Sequence, residues 1–423
     1  MLYNSGIDFY SGDREVKMTV NEYIQEKLPL TVRTCEKDNP PFFALPKPYN
    51  VPCVKGMFQE MYYWDTYFTN IGHIIDGNVE DAKNNVDNLI AMANRFGFVL
   101  NGNRAEFLNN SQPPFLSQAV REIYEVTGDK EWLTGAYSAV EKEYLFYTER
   151  MVRAFGLSVY DAVTPISDEQ VRRGADLMVE RMGYRPDVSD YDLARGLYAV
   201  GASGWDVNPR MTYRAYEIIP ADLNTLIYSI ESNMAYFASE LGNGEDEKWS
   251  CRKEVRRENM RRILLGKDGL FHDYDTALGM ITPYVSVAVL YPLYFGLASA
   301  DEAKMALKIL PMLETDFGIV TCERLDSIKG HFQWGYPNGW PPMQIIAVGG
   351  LLRYGYIDEA VRVAEKFVAL IEDAFDKTGH LWEKYDVVRG CAEALMEYET
   401  PPMLGWTYGA YRYLCKIISS YKK

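Results

Sequence analysis

Two acidic residues each follow a tryptophan in short segments without helical spacing. In "ASGWDVNPR", Asp206 follows Trp205 in a turn rich in helix-breaking residues, and in "LWEKYD", Glu383 precedes Lys384. An indole next to a carboxyl group removes water from it and raises its pKa, as a proton donor requires, whereas a lysine keeps a neighbouring carboxylate charged, as a base requires. Two acids in such different settings are the groups with which enzymes hydrolyse glycosidic bonds.

Both residues also have ordinary structural explanations. Asp206 could cap a helix that begins after Pro209, since an N-cap aspartate accepts backbone hydrogen bonds. Glu383 could be a surface acid, because most of the 59 Asp and Glu residues must be solvated. The residue types alone leave these alternatives open.

Other segments near helix ends carry side chains suited to recognising sugars. Asp65 lies among five aromatic residues in "YYWDTYF". It must accept hydrogen bonds from backbone donors or bind ligand hydroxyls there, because a buried, unpaired carboxylate is costly. The amides and indoles that read sugar hydroxyls and sugar faces are Asn101, Gln112, Gln333, Trp334 and Trp340.

The overall composition narrows the class of ligand. The chain has 44 Lys and Arg against 59 Asp and Glu, a net charge of -15, and no basic cluster, which disfavours nucleic acids and anionic membranes as partners. Aromatic residues make up 14% of the chain and are suited to stacking on sugar rings. We therefore expect a small neutral saccharide as the ligand, while the composition makes no prediction of the oligomeric state.

The spacing of the cysteines and histidines bears on metal binding, and the first residues bear on the cellular location. The six cysteines form no CxxC pair and the four histidines are far apart, so neither a metal site nor a disulfide framework is indicated. The opening segment lacks the basic start and apolar run of a signal peptide, and no apolar stretch approaches the roughly 20 residues that span a bilayer. These features predict reduced thiols and a cytoplasmic location.

The elements that must position these residues are predicted to be helices. Over residues 79–96, apolar residues recur at three- and four-residue steps. Similar patterns with acids in the first turn occur in "ASADEAKMALKILPMLETDFG" and "GYIDEAVRVAEKFVALIEDAF" and indicate a weak internal repeat, in which an alanine and a closing glycine recur at Ala82 and Gly97 and at Ala303 and Gly318. Further helices are predicted over 118–126, 130–155 and 222–241, and strand-like alternation is scarce.

Repeated helical hairpins can stack in a line or close into a ring, and periodicity does not decide between the two. The segments rich in Gly, Pro, Asn and Trp lie near helix ends along the whole chain. A ring would gather them around one cleft, where binding residues are expected. We therefore favour a ring.

Several of these segments resemble the signature motifs of the trehalase family. "GMFQEMYYWDTYF" is similar to the first trehalase signature, and "QWGYPNGWPPMQ" is similar to the second. Between and after them, "NGNR", "SQPP", "SGWD", "IIPADLN", "HDYD", "EKYD" and "GWTYG" occur in the order found in trehalases. The resemblance covers roughly residues 50–415, and several long motifs in one order are far more specific than one short pattern.

The resemblance implies an all-α (α/α)6 toroid and an inverting glycoside hydrolase that acts on trehalose or a related small α-glucoside, with no metal ion and no organic cofactor. Asp206 would be the general acid and Glu383 the general base, with their carboxyl groups about 6.5–9.5 Å apart. Residues 1–423 would form one catalytic domain, with 1–45 as an extension packed on the toroid. The residues expected to bind substrate are Phe58, Trp64, Asp65, Asn101, Gln112, Trp205, Arg210, Gln333, Trp334, Trp340 and Glu397.

Three positions depart from the trehalase motifs. Met57 and Asn110 stand where trehalases have arginines, and Gly335 stands where they have an aspartate, so bidentate hydrogen bonds to sugar hydroxyls are lost. "SGWDVNPR" is also similar to the "SGWDNSPR" pattern of glycoside hydrolase family 63. The alternative is therefore a family-63-like hydrolase of glucosylglycerate, mannosylglycerate or another α-linked glycoside, with Arg104 and Arg210 as candidates to bind a substrate carboxylate. A non-catalytic carbohydrate-binding toroid would lack one of the two acids, and both are retained here.

Overall fold

Helices dominate the part of the chain that the computed structural model describes, which is residues 18–163, 165–324, 330, 332–394, 401–402 and 404–422. The α-helices are α1 Val20–Lys27, α2 Tyr63–Asp76, α3 Val79–Phe96, α4 Leu116–Thr127, α5 Lys130–Leu145, α6 Asp168–Met182, α7 Asp190–Ala202, α8 Ala221–Leu241, α9 Asp246–Leu264, α10 Tyr291–Tyr294, α11 Ala300–Leu313, α12 Pro341–Arg353, α13 Ile357–Thr378 and α14 Gly405–Tyr421.

The strands in the described residues are only two or three residues long and tie loops together. The antiparallel partners are β1 Val32–Arg33 with β2 Tyr49–Asn50, β3 Val152–Ala154 with β4 Leu157–Ser158, β5 Ile218–Ile219 with β6 Tyr274–Asp275, β6 with β7 Met280–Ile281, and β8 Asn338–Gly339 with β9 Tyr385–Asp386. They are too short to form a layer of their own. The scarcity of strand-like alternation predicted this.

The helices form two layers because their burial differs. Helices α2, α8 and α12 are buried on nearly every side, as expected of helices that are apolar around their circumference. Helices α3, α9 and α13 bury one face and carry charged residues on the other. Helix α14, near the end of the chain, packs against α2. This contact closes the ring and confirms the predicted (α/α)6 toroid.

Most helices predicted from periodicity are present with small changes at their ends. Helix α3 has the predicted bounds, and Gly97 follows it in the left-handed conformation. Helices α4 and α8 begin one or two residues before the predicted starts. The prediction of a helix over 130–155 is wrong beyond residue 150, because the π-helical turn that continues α5 to Arg150 leads into the β3–β4 hairpin. Phe155 and Gly156 have φ values of 57° and 71°, as two-residue hairpin loops require.

The internal repeat holds for the helices but not for both closing glycines. Helix α11 ends at Leu313, and Gly318 lies in the following loop rather than at the helix end. Pro311 lies in the last turn of α11, and a proline there removes a backbone donor and favours an early end. None of the helices in the described ranges is both long and apolar enough to cross a membrane.

The single domain with residues 1–45 as an extension stays a prediction. Residues 1–17 lie outside the described part of the chain. Within that part, the ring of Tyr23 in α1 packs edge-on against Phe375 of α13, with centroids 5.3 Å apart. Helix α1 therefore contacts the outer layer of the toroid.

Candidate active site

Loops and helix ends from across the chain meet around one cavity of about 260 Å³. A water molecule needs roughly 10–15 Å³, so the cavity has space for a ligand and for water. Its walls are formed by Phe58, Tyr62, Trp64, Asp65, Asn101, Glu106, Phe107, Asn110, Gln112, Leu177, Arg181, Leu197, Tyr198, Gly201, Gly204, Asp206, Trp334, Trp340, Glu383 and Trp406.

The structure brings most of the predicted site residues together in this cavity. Those that line it are Asp206, Glu383, Phe58, Trp64, Asp65, Asn101, Gln112, Trp334 and Trp340. Trp205, Arg210 and Gln333 are buried and do not line it, and Glu397 lies outside the described residues. The roles assigned to all of these residues stay predictions.

The turn that carries Asp206 depends on a glycine. Gly204 has a φ of 70°, a conformation that residues with a Cβ rarely adopt, and a Cβ there would lie 2.7 Å from the ring of Trp64. Ser203 ends α7, and its hydroxyl accepts a hydrogen bond from the backbone N–H of Trp205 at 3.1 Å. Asp206 does not cap a helix, because turns follow it.

Arg210, which we expected to bind substrate, instead anchors this turn. Its guanidinium group donates hydrogen bonds to Asp222 at 2.9 and 3.3 Å and to Asp273 at 2.8 and 2.9 Å, and it is only 1% exposed. It also lies over the ring of Trp205, 4.5 Å from the centroid. Because all these partners are buried, Arg210 fixes the Asp206 turn against α8 and the segment before β6.

The environment of Asp206 favours its protonated form. Its side chain is 34% exposed, but that surface faces the cavity, and burial in the surrounding protein raises the pKa of Asp206. Arg181, 3.7 Å away, opposes this shift, whereas the charge of Glu383 adds to it. The direction is the one expected from the sequence, although the indole of Trp205 does not line the cavity.

Glu383 lies in a different electrostatic setting. Its carboxylate is 3% exposed, and Oε2 lies 2.6 Å from the Nζ of Lys384, which is fully buried. The ammonium group also lies 4.9 Å from the ring centroid of Trp340. The pairing of β8 with β9 brings this segment to the cavity, and the indole of Trp406 donates a hydrogen bond to the backbone oxygen of Glu383 at 2.9 Å. The lysine therefore balances the buried negative charge.

Four tryptophans form an aromatic wall. Trp334 and Trp340 are stacked with ring centroids 3.7 Å apart and an angle of 6° between planes. Trp64 lies 5.4 Å from Trp334, and Trp406 meets Trp340 edge-on at 5.6 Å. Flat apolar faces with indole N–H groups at their edges are suited to contact with sugar rings.

A third carboxyl group enters the cavity from the first turn of α2. Burial raises the pKa of Asp65 well above its usual range, and the charges of Glu383 and Asp206 add to this effect. Beside it, the side-chain oxygen of Gln112 accepts a hydrogen bond from the backbone N–H of Trp64 at 3.0 Å, which fixes the orientation of that amide. Asp65 and Gln112 together offer donors and acceptors to a polyhydroxylated ligand.

The three departures from the trehalase motifs have different structural consequences. Met57 is 48% exposed and does not line the cavity. Asn110 lines it, so its amide stands where trehalases have a guanidinium group. A Cβ on Gly335 would lie 3.2 Å from Phe332 and 3.3 Å from Pro209, so an aspartate there would require a shift of its neighbours.

Several residues of the cavity were not predicted from the sequence. Arg181, in the last turn of α6, lies 3.7 Å from Asp206, and Tyr198 of α7 also lines the cavity. No motif marked either residue. Trp406 lies in "GWTYG", one of the segments that resemble trehalases, so that motif could have indicated Trp406 as a site residue.

Two carboxyl groups in one cavity are the groups with which glycoside hydrolases cleave their substrates. The sequence model of the trehalase family matches residues 13–419. The chain belongs to the trehalase family and is a glycoside hydrolase.

Relatives and solved structures agree with this assignment. The periplasmic trehalase of Xanthomonas oryzae is 31% identical over 92% of this chain and 72% of the relative, and that of Escherichia coli is 29% identical over 92% and 73%. The neutral trehalase of Saccharomyces cerevisiae is 27% identical and aligns with a TM-score of 0.72 over 88% of this chain and 73% of that chain. A family-63 mannosylglycerate hydrolase of Thermus thermophilus aligns with a TM-score of 0.62 at 17% identity over 87% and 96%, which shows the shared fold alone.

The prediction of a cytoplasmic location is wrong, because these bacterial relatives are periplasmic trehalases. The prediction rested partly on cysteines without pairing motifs, and six thiols are indeed free. Free thiols do not identify a compartment, since a large core stabilises a chain of this length without disulfides.

Proposed function

We propose that the chain hydrolyses trehalose with inversion at the anomeric carbon, with Asp206 as general acid and Glu383 as general base. The observation that carries this proposal is that both carboxyl groups line one cavity in different surroundings. Burial raises the pKa of Asp206, whereas Glu383 lies 2.6 Å from the ammonium group of Lys384. The trehalase family assignment supports the substrate and the class of reaction.

The proposed reaction is a single displacement. Asp206 donates its proton to the glycosidic oxygen as the bond from that oxygen to C1 breaks. Glu383 accepts a proton from a water molecule as the water oxygen bonds to C1 from the opposite face. One water is consumed, two glucose molecules form, and proton exchange with solvent restores both acids. The separation of about 6.5–9.5 Å that this water requires stays a prediction.

The assignment of acid and base follows from the charges around each group. A general acid must keep its proton at the working pH, and burial raises the pKa of Asp206. A general base must be charged, and Lys384 lies 2.6 Å from Glu383. The ammonium group next to Glu383 therefore suits the base, and the buried carboxyl group of Asp206 suits the acid.

The charge of the cavity supports a neutral substrate over a glycerate glycoside. Among the lining residues, four carboxyl groups face one guanidinium group, that of Arg181. Arg181 already pairs with Asp206 at 3.7 Å, and Arg104 pairs with Glu60 and Glu106. A substrate carboxylate would therefore have to share Arg181 with Asp206, whereas a neutral saccharide needs no cation.

Proton NMR of product release tests the proposal. Trehalose, kojibiose, nigerose, glucosylglycerate and mannosylglycerate are each supplied to the enzyme, and the anomeric protons are followed before mutarotation. We expect rapid cleavage of trehalose that gives equal amounts of α- and β-glucose. Release of α-glucose alone would refute inversion, and preferential cleavage of a glycerate glycoside would favour the family-63-like alternative.

A further inference from the structure

A second hollow of about 710 Å³ adjoins the cavity. It runs along the hairpin of α6 and α7, and we refer to it as the α6–α7 groove. Four residues line both spaces, namely Glu106, Leu177, Leu197 and Tyr198. Because these residues line both spaces, the groove lies directly next to the cavity on its α6–α7 side.

The groove lies on the side of Asp206. Arg181, which is 3.7 Å from Asp206, belongs to the last turn of α6, and Leu177 lies one turn earlier on the same helix. Under the proposed function, on which this inference rests, the general acid protonates the oxygen of the leaving group. The leaving group therefore points toward the α6–α7 hairpin, and anything attached to it extends into the groove.

The chemistry of the groove suits neutral sugars. At the junction, Tyr198 offers a flat ring and a hydroxyl, as sugar-binding surfaces do. Further out, Gln170 and Arg173 supply hydrogen-bond donors, and Glu169, Asp176 and Glu180 supply acceptors. These acids and Glu106 outnumber Arg173, so an anionic group is disfavoured there.

The walls of the groove are held in place by close helix packing. A Cβ on Gly174 would lie 3.0 Å from the Cβ of Ala194, so the glycine lets α6 and α7 approach closely. Side chains of Ser167 and Ser189 cap the two helices. The packing of α6 against α7 therefore fixes the shape of the groove.

We infer that the enzyme accepts neutral α-glucosides whose leaving group contains two or more sugar units, with the second unit lying in the α6–α7 groove. The reaction is the same hydrolysis. Water adds across the bond between C1 of the terminal glucose and the glycosidic oxygen, and the leaving oligosaccharide takes the proton from Asp206.

The test compares trehalose with a trisaccharide in which one ring of trehalose carries an α-1,4-linked glucose. We expect release of glucose and maltose, with a kcat/KM within about tenfold of that for trehalose. Absence of maltose under conditions that hydrolyse trehalose completely would overturn this inference and leave the proposed function standing. Failure with both substrates would overturn the proposed function as well.

A matched pair of variants tests the place of the second unit. Asp176 and Arg172 are both exposed on α6, but only Asp176 lines the groove. We expect Asp176→Trp to lower kcat/KM for the trisaccharide at least tenfold relative to Arg172→Trp, with trehalose hydrolysis unchanged in both. Equal trisaccharide activity in the two variants would overturn the assignment of the groove.

Discussion

Replacing each proposed catalytic carboxyl group by its amide distinguishes the acid from the base. Asp206→Asn removes the proton donor but keeps the size of the side chain. The carboxylate of Asp206 is partly exposed to the cavity, and its closest ion pair, with Arg181, spans 3.7 Å. The loss of such a pair costs roughly 0–1 kcal/mol, so we expect the variant to fold and to bind trehalose.

The expected loss of activity follows from the role of a general acid. General acid catalysis contributes about 10²–10⁴-fold in rate, which corresponds to roughly 3–5 kcal/mol of transition-state stabilisation at about 1.4 kcal/mol per factor of ten. For Asp206→Asn we expect this loss in kcat on trehalose with little change in KM. Glu383→Gln should lose at least as much, because the attacking water loses its base.

The assay uses a second substrate that needs no proton donor. In α-glucosyl fluoride the leaving group is a weakly basic anion, so protonation of the leaving atom contributes little. Asp206→Asn should therefore hydrolyse α-glucosyl fluoride at close to the wild-type rate, whereas Glu383→Gln should be impaired on both substrates. Equal losses of Asp206→Asn on trehalose and on the fluoride would refute the role of Asp206 as the acid.

Three further predictions concern the turn around Asp206. Arg210→Met leaves two buried carboxylates without their cation and should lower the free energy of unfolding by roughly 3–5 kcal/mol, measured by urea denaturation; a loss below about 1 kcal/mol would contradict the anchoring role. Gly204→Ala should lose activity because the left-handed φ and the nearby ring of Trp64 do not accommodate a Cβ, and wild-type kcat would argue against this. Arg181→Met removes the charge that lowers the pKa of Asp206, so the alkaline limb of kcat/KM should move to higher pH, and a move to lower pH would contradict the assignment.

Controls for these variants come from positions away from the cavity. Arg172→Met removes an exposed guanidinium group of α6 that lines neither the cavity nor the groove, and it should leave both unfolding and the pH profile of trehalose hydrolysis unchanged. Gly128→Ala also places a Cβ on a left-handed residue, but with nothing within 4 Å of it. It should cost stability without loss of activity per folded molecule.

The two proposed catalytic residues could be found from the sequence because each belongs to a short, unusual segment. Glu383 and Lys384 are adjacent in the sequence, and the ion pair at 2.6 Å agrees with the expected charge compensation. The ring could be predicted because loops with such residues recur along the whole chain. In each case the prediction rested on the order of residues within short segments.

Arg181 and Arg210 show what the order of residues within a short segment does not predict. Arg210 lies within a recognised motif, yet its guanidinium group points to Asp222 and Asp273, which are distant in sequence. Arg181 lies in an ordinary polar helix, and only the packing of the hairpin against the rest of the ring brings it to Asp206. The direction of a side chain in a turn is set by tertiary partners, so the sequence pattern did not predict where Arg210 points and gave no signal for Arg181.

The contact of α14 with α2 has a consequence for biosynthesis. Trp406, which holds the backbone of Glu383, belongs to the helix that completes the circle. A growing chain therefore carries both proposed catalytic acids before it has a catalytic centre, and cleavage activity should appear only after α14 has been made and has packed against α2. Turnover by this enzyme is accordingly a direct report that α14 has packed against α2.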